Sequence, residues 1–165
     1  MSKNVKPIPE GHHTITPYLV LNNSAEAIDF YKQAFGAVEL CRMTGSGGRG
    51  VMHAELKIGD SLLYLSDECP GMGNPSPKTL GGTPVGIHLN VEDVDTVFAR
   101  AVAAGATAQM PPAVMFWGDR FGKLQDPFGH SWSLSTHIED VSNEEMQRRG
   151  EAAMAEMAAT QHAKA

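Results

Sequence analysis

Residues 121–136, FGKLQDPFGHSWSLST, contain a turn segment, Asp126-Pro127-Phe128-Gly129-His130, between two runs of alternating apolar and polar residues. This pattern predicts a β-hairpin with strands at 121–125 and 131–136. A second stretch, VMHAELKIGDSLLYLS at residues 51–66, predicts strands at 51–58 and 61–66 joined at Gly59-Asp60. The chain therefore contains two related hairpins, one in each half.

The same order of elements precedes each hairpin. In the first half we predict a strand at 14–21, a helix that follows Asn22-Asn23-Ser24 and ends at Gly36, and a strand at 38–43. In the second half we predict a strand at 85–91, a helix that follows Asp93 and ends at Gly105, a short strand at 107–110, and a proline-rich loop.

The helix-ending glycines are 69 residues apart, and the hairpin glycines Gly59 and Gly129 are 70 apart. Chance matching of turn glycines is the alternative explanation, but the shared order indicates two β-α-β-β-β modules.

These modules define the predicted domain organisation. We expect one domain at 14–138, with module one at 14–68, a connector rich in glycine and proline at 69–84, and module two at 85–138. An N-terminal arm at 1–13 precedes the domain, and a helical extension at 139–165 follows it. Each module is too small to bury a core alone, so the two pair either within one chain or with modules of a second chain.

Composition excludes several classes of function. The chain has 13 Lys and Arg against 19 Asp and Glu, a net charge of −6, and no basic stripe, which argues against a nucleic-acid partner. No apolar run approaches the ~18 residues that span a bilayer, and we find no secretory signal, so we expect a cytoplasmic protein with no membrane partner. The two cysteines follow no zinc-finger spacing and receive no role.

Several strings resemble a known family. They are Ala27-Ile28-Asp29-Phe30-Tyr31 in the first helix, Val91-Glu92-Asp93-Val94-Asp95 at the start of the second, and the turn segment at 126–130. Together they resemble the vicinal oxygen chelate superfamily, which includes glyoxalases, bleomycin-resistance proteins and dioxygenases. Within it, the strings ITPYL at 15–19, MHAEL at 52–56 and SDE at 66–68 resemble the PhnB-like branch. The resemblance implies an α+β fold in which the two modules form a curved mixed sheet, or half-barrel, around a cavity, with a C-terminal helix added.

The resemblance also locates the positions at which related enzymes bind a divalent metal. These positions are occupied by Thr16, Leu63, Gly86 and Ser133. None of the four offers an imidazole, thiolate or carboxylate, so we predict no metal and no other cofactor. A displaced site built from His53, His88 and Asp67 is the alternative.

Strand alternation then predicts which side chains line the cavity. If Gly86 points inward, so do His88 and Asn90, and the same rule applied to Thr16 and Leu63 directs Tyr18 and Asp67 inward. The face of His53 stays open. Aromatic and charged residues of the loop that follows the short strand would complete the pocket, although Trp117 could instead fill a dimer interface. The predicted ligand-binding set is Tyr18, His53, Asp67, His88, Asn90, Phe116, Trp117, Arg120, Phe121 and Ser133.

The sequence thus favours a homodimeric small-molecule-binding protein, similar to bleomycin-resistance proteins and acting without the usual metal. The alternative is a metal-dependent lyase, isomerase or dioxygenase-like enzyme with a displaced metal site or with His88 and Asp67 as acid and base. A structural or regulatory partner with a vestigial pocket is a third possibility. Whether the protein is an enzyme stays open at this point.

Overall fold

The computed structural model describes residues 5–162 and contains eight strands and four helices. The strands are β1 (Tyr18–Leu21), β2 (Val38–Thr44), β3 (Val51–Ile58), β4 (Ser61–Asp67), β5 (Gly86–Asn90), β6 (Thr107–Val114), β7 (Asp119–Gln125) and β8 (Ser131–His137). The helices are α1 (Ser24–Phe35), α2 (Pro77–Leu80), α3 (Val94–Ala103) and α4 (Asn143–His162).

Each module forms a four-stranded sheet, and the two sheets have the same topology. The strand order is β1-β4-β3-β2 in module one and β5-β8-β7-β6 in module two. In each sheet the first strand runs parallel to the fourth, and the other pairs are antiparallel. The predicted α+β fold of two repeated modules with a C-terminal helix is confirmed.

The two long module helices begin and end where the sequence indicates. The side chain of Asn23 accepts a hydrogen bond from the backbone N–H of Glu26, and Asp93 caps α3 through the N–H of Thr96. Gly36 ends α1 in the left-handed conformation, with φ of 69°.

A single hydrophobic core joins the modules, because α1 and α3 pack against each other between the two sheets' buried faces. The fully buried ring of Tyr31 in α1 lies 5.3 Å from that of Trp132 in β8, and Phe35 lies 4.7 Å from Trp132. Each module therefore buries its apolar face against the other module of the same chain.

A buried carboxylate strengthens this junction. Oδ2 of Asp126 accepts hydrogen bonds from the Tyr31 hydroxyl at 2.7 Å and from Trp132 Nε1 at 2.9 Å. Oδ1 accepts from the backbone N–H groups of Phe128 and His130 at 2.9 and 2.8 Å. The turn segment that identified the second hairpin is thus also a contact between modules.

Two segments differ from expectation. The predicted proline-rich loop is part of β6, where the register shifts between Met110 and Ala113. Pro111 and Pro112 fall inside that irregularity, at the edge of the sheet, where no partner strand needs their missing N–H groups. The connector also contains a single 3₁₀ turn at Pro70–Met72 and the short helix α2.

The C-terminal helix α4 packs against the domain through its first turns. Ser142 accepts a hydrogen bond from the N–H of Glu145, and Arg149 pairs with both Glu145 and Glu139. Gly150 is buried against the ring of Phe116, whereas Met154 is exposed. Within residues 5–162, no helix has the length and apolar character needed to cross a membrane.

Candidate functional site

Each sheet has one face packed against a helix and an opposite face, which we call the open face. In β8, Trp132 and Leu134 are fully buried on the helix side, and Trp132 packs against Tyr31 and Phe35 of α1, while Ser131, Ser133 and Ser135 alternate with them. In β5, His88 lies opposite Ser133 and Asn90 opposite Ser135. His88 and Asn90 therefore lie on the open face of module two, as alternation from Gly86 predicts.

Hydrogen bonds hold the ring of His88. Its Nδ1 lies 2.8 Å from Ser133 Oγ, and its Nε2 lies 3.1 Å from Ser135 Oγ and 3.3 Å from Asn90 Oδ1. A tautomer with the proton on Nε2 satisfies this arrangement, since Asn90 Oδ1 can only accept and the Ser133 hydroxyl can donate to Nδ1. The imidazole is thus fixed in orientation while one side of the residue stays exposed to solvent.

Aromatic rings continue this surface. The ring of Phe121 in β7 is stacked with that of His88, with centroids 6.1 Å apart and planes 15° apart. Trp117 meets Phe121 edge-on at 5.5 Å, and Phe116 meets Trp117 at 4.9 Å. Phe116 also contacts Gly150 of α4, whereas Phe121 is the ring that stacks directly on His88.

Two cavities lie along module two. One of about 410 Å³ lies at the open face and is lined by Phe121, Lys123 and Ser133 among others. The other, about 790 Å³, runs along β5 beside the β3–β4 turn and the start of α3, and His88 and Asn90 are among its lining residues. His88 lines the larger cavity, and its partners Ser133 and Phe121 line the smaller one.

The structure also shows which face of β3 carries His53, a question that the sequence left open. Its Nδ1 lies 3.2 Å from the Tyr18 hydroxyl, and its Nε2 lies 3.4 Å from Glu55 Oε1. Ala54 and Leu56, which alternate with these residues in β3, are fully buried on the opposite face. His53 and Tyr18 therefore share the open face.

The orientations predicted from Leu63 are wrong. Leu63 is 4% exposed and lies on the helix side of β4. Tyr18 pairs with Tyr64, as His88 pairs with Ser133, so Tyr64 is the counterpart of Ser133. The displacement arises because the β3–β4 turn has two residues, whereas the β7–β8 turn has five.

Asp67 consequently does not face the pocket. Its carboxylate accepts hydrogen bonds from the backbone N–H of Ser24 at 2.6 Å and of Val51 at 2.7 Å. It thereby fastens the start of α1 and the start of β3 to the end of β4. The structure does not assemble His53, His88 and Asp67 into one metal site.

Arg120 also lies on the helix side. Its guanidinium forms a bidentate ion pair with Asp95 of α3, at 2.6 and 2.7 Å. These hydrogen bonds hold the pKa of the Asp95 carboxyl below its usual range. The structure thus places Arg120 with a partner in α3 rather than beside His88.

The family's metal positions offer poor ligands. With the corrected register they are Thr16, Tyr64, Gly86 and Ser133, which supply two hydroxyls, one phenol and no side-chain donor at the glycine. Divalent transition metals in proteins are bound by imidazole, thiolate or carboxylate. The residues present therefore do not fit a divalent ion at these positions.

Sequence reasoning missed several residues on the open faces. Glu55 and Tyr64 lie beside His53, and Lys123 lies opposite Ser133. Glu55 and Lys123 follow from strand alternation once the face of one neighbour is known. Cys41, which had no role, also lies on this side because its partner in β3 is Glu55.

Comparison with known proteins identifies the family. Residues 11–134 match the model of the glyoxalase/bleomycin resistance protein/dioxygenase superfamily. The chain belongs to this superfamily. An uncharacterized protein of Mycobacterium tuberculosis is 46% identical over 150 residues, covering 89% of this chain and 84% of the relative. An uncharacterized protein of Arabidopsis thaliana is 29% identical over 128 residues, covering 72% of this chain and 75% of the relative.

Solved structures share this fold. TioX from Micromonospora sp. ML1 superposes with a TM-score of 0.60 at 26% identity, covering 77% of this chain and 100% of TioX. A Pseudomonas aeruginosa protein gives 0.62 at 27% identity, covering 78% of this chain and 100% of its own. The PhnB protein of Bacillus cereus, at 22% identity, shares the fold, with a TM-score of 0.59 and coverage of 75% and 99%.

Proposed function

We propose that this superfamily member binds a compact planar or aromatic small molecule at the open face of module two, in the manner of a bleomycin-resistance protein. Its activity would be binding alone. No chemical conversion would follow, and no metal would occupy the family positions. The observation that carries this proposal is the fixed imidazole of His88 stacked on Phe121, beside a cavity of about 410 Å³.

The composition of this surface suits such a ligand. Small-molecule sites combine flat apolar walls with a few polar groups that fix orientation. Here Phe121 and Trp117 supply the walls, while His88, Asn90 and Lys123 supply polar groups of both donor and acceptor type. A planar ligand stacked on Phe121 would extend the aromatic contact that His88 already makes.

The donor set at the family positions supports binding rather than metal-assisted chemistry at those positions. Thr16, Tyr64, Gly86 and Ser133 provide no ligand set for the divalent ion that the related enzymes use.

The protein is further proposed to act as a homodimer. Four apolar side chains of β2 and β3 are between 51% and 64% exposed, namely Val38, Leu40, Met43 and Met52. β2 is also an edge strand, which natural proteins commonly cover. A second copy of the chain packed over this edge would bury the exposed side chains and the edge strand. Light scattering after gel filtration measures the mass, and a mass of one chain would contradict the dimer.

Ligand binding is tested by screening planar aromatic compounds for thermal stabilisation and measuring the hits by calorimetry. His88→Ala should abolish binding, and Phe121→Leu, which keeps an apolar residue without the flat ring, should weaken it about tenfold. His137→Ala is the matched control, because His137 lies in the same sheet but pairs with Asp119 and Asp140. The proposal would be contradicted if His88→Ala and His137→Ala weakened binding equally, or if no compound in the screen stabilised the protein.

A further inference from the structure

A cluster of metal-binding side chains lies on the open face of module one, away from the family positions. Cys41 projects from β2, and His53 and Glu55 project from the neighbouring strand β3. One ligand atom from each residue lies within 4.8 Å of the other two. The family positions, in contrast, lie on or next to β1, β4, β5 and β8.

A β-bulge creates this cluster. Val38 pairs with Lys57 and Glu39 with Leu56, so an uninterrupted ladder would place Leu40 opposite Glu55. The register instead shifts between Glu39 and Cys41, and Cys41 becomes the partner of Glu55. Bulges of this kind redirect a side chain and are frequent beside functional sites.

The donor types suit zinc. Thiolate, imidazole and carboxylate bind Zn²⁺ at about 2.3, 2.0 and 2.1 Å, which places ligand atoms roughly 3.3 to 3.7 Å apart around a tetrahedral ion. The observed spread of up to 4.8 Å therefore needs to close by only about an ångström. Side-chain rotation on the two strands can supply this change, since Cys41 is exposed and His53 and Glu55 are partly exposed.

Two imidazoles lie near the cluster, those of His53 and His12. In each ring one nitrogen contacts an oxygen outside the cluster, and the other lies near the carboxylate of Glu55. His53 Nδ1 meets the Tyr18 hydroxyl at 3.2 Å, which leaves Nε2 at 3.4 Å from Glu55 Oε1. His12 Nδ1 meets the carbonyl of Glu10 at 3.2 Å, which leaves Nε2 at 4.0 Å from Glu55 Oε2. Metal-binding histidines are oriented in this way, with the second nitrogen donating to an oxygen.

An aromatic side chain, Tyr64, lies beside the cluster. The ring of Tyr64 lies 5.2 Å from that of His53 and 6.3 Å from that of His12. A cation bound there would be partly shielded from solvent by the ring.

We propose that Cys41, His53 and Glu55, with His12 as the fourth ligand, bind one zinc ion per chain. The ion would join the N-terminal arm, through His12, to the open face of module one. This site does not depend on the ligand proposed for module two, because none of its residues belongs to the surface around His88.

The test uses the full chain after removal of metals with a chelator and dialysis. Cobalt(II) reports the ligands directly, because a bound thiolate gives a charge-transfer band and a tetrahedral site gives intense visible bands. Zinc affinity is measured by competition with a chromophoric chelator. We expect one equivalent of either ion, with zinc displacing cobalt.

Variants assign the ligands. Cys41→Ser should remove the charge-transfer band, and His53→Gln and Glu55→Gln should each weaken zinc binding by at least about 100-fold, since even the loss of an outer-shell partner costs about 10–100-fold. His12→Gln should weaken zinc binding by at least about tenfold. Cys69→Ser and His13→Gln are matched controls that should leave both signals unchanged.

Circular dichroism of each variant shows whether the fold persists. Absence of cobalt bands in the folded parent protein would overturn the proposal, as would a charge-transfer band that survives Cys41→Ser but is lost in Cys69→Ser. An unchanged affinity in His12→Gln would overturn the assignment of the fourth ligand. None of these results involves an organic ligand, so failure here leaves the proposal for His88 and Phe121 to its own test.

Discussion

The buried carboxylate of Asp126 offers the most direct test of how the modules are joined. It is 3% exposed and accepts four hydrogen bonds, two from side chains and two from the backbone of its own turn. Asp126→Asn keeps the shape of the side chain but replaces one acceptor oxygen with an NH₂ donor. The best orientation leaves the amide oxygen with the N–H groups of Phe128 and His130.

In that orientation the new NH₂ group faces Tyr31 and Trp132. The Tyr31 hydroxyl can rotate and accept, but Trp132 Nε1 can only donate and loses its partner. A buried donor without an acceptor costs about 1–3 kcal/mol, and exchanging charged for neutral acceptors in the turn costs about 1 kcal/mol more. We therefore expect Asp126→Asn to lower the free energy of unfolding by about 3 kcal/mol, or roughly 6–12 °C in Tm.

Urea unfolding followed by tryptophan fluorescence and circular dichroism measures this change. Asp140→Asn, at a fully exposed carboxylate, is the matched control and should stay within about 0.5 kcal/mol of the parent. A double-mutant cycle with Tyr31→Phe should give a coupling of about 1 kcal/mol, because the two groups are in contact. A loss below about 1 kcal/mol in Asp126→Asn, or strict additivity in the cycle, would refute this account of the junction.

Three further predictions concern buried groups and strained backbone. Ser24→Ala should raise the free energy of unfolding by about 1 kcal/mol, because the Ser24 hydroxyl is buried without a hydrogen-bond partner among residues 5–162; a loss in urea unfolding would count against this. Gly118→Ala should cost about 3 kcal/mol, since Gly118 has φ of 95° and a Cβ would collide with the Glu139 carbonyl, whereas Gly71→Ala, in open space, should change little in the same assay. Burial, together with the charge of Asp126, raises the pKa of the Tyr31 hydroxyl well above its ordinary value, so its contribution to stability is complete below pH ~10, the unfolded value, and is lost as the pH rises. Stability measured from pH 9 to 12 should therefore change little through this group up to pH ~10 and fall above it by about 1.4 kcal/mol per pH unit, less steeply in Tyr31→Phe; equal slopes above pH ~10 would contradict the assignment.

Much of the fold could be predicted because the deciding signals are local. Asn23 and Asp93 can cap a helix whatever surrounds them, and Gly36 reaches a left-handed conformation at little cost. The face of His88 followed from period-two alternation, since Trp132 and Leu134 had to be buried on the other side.

The wrong orientations arose where the pairing register of a strand depends on the length of a turn or on a bulge. A difference in turn length between the two hairpins moved the counterpart of Ser133 from Leu63 to Tyr64, and with it Asp67 left the pocket. A shift of one residue exchanges the two faces of a strand, so a small uncertainty in alignment becomes a complete error in orientation. The bulge before Cys41 is equally invisible in the residue pattern.

The sequence by itself thus determined the two modules, their helix boundaries, their hairpins and the superfamily, because capping, turn formation and alternation act over a few residues. Only the tertiary structure decided which side chains meet: Tyr31 with Asp126, Arg120 with Asp95, His88 with Phe121, and Cys41 with Glu55. These contacts join residues 14 to 95 positions apart, and they depend on strand register and on how α1 and α3 pack. Neither is fixed by local preference, and both of the sites proposed for this protein depend on them.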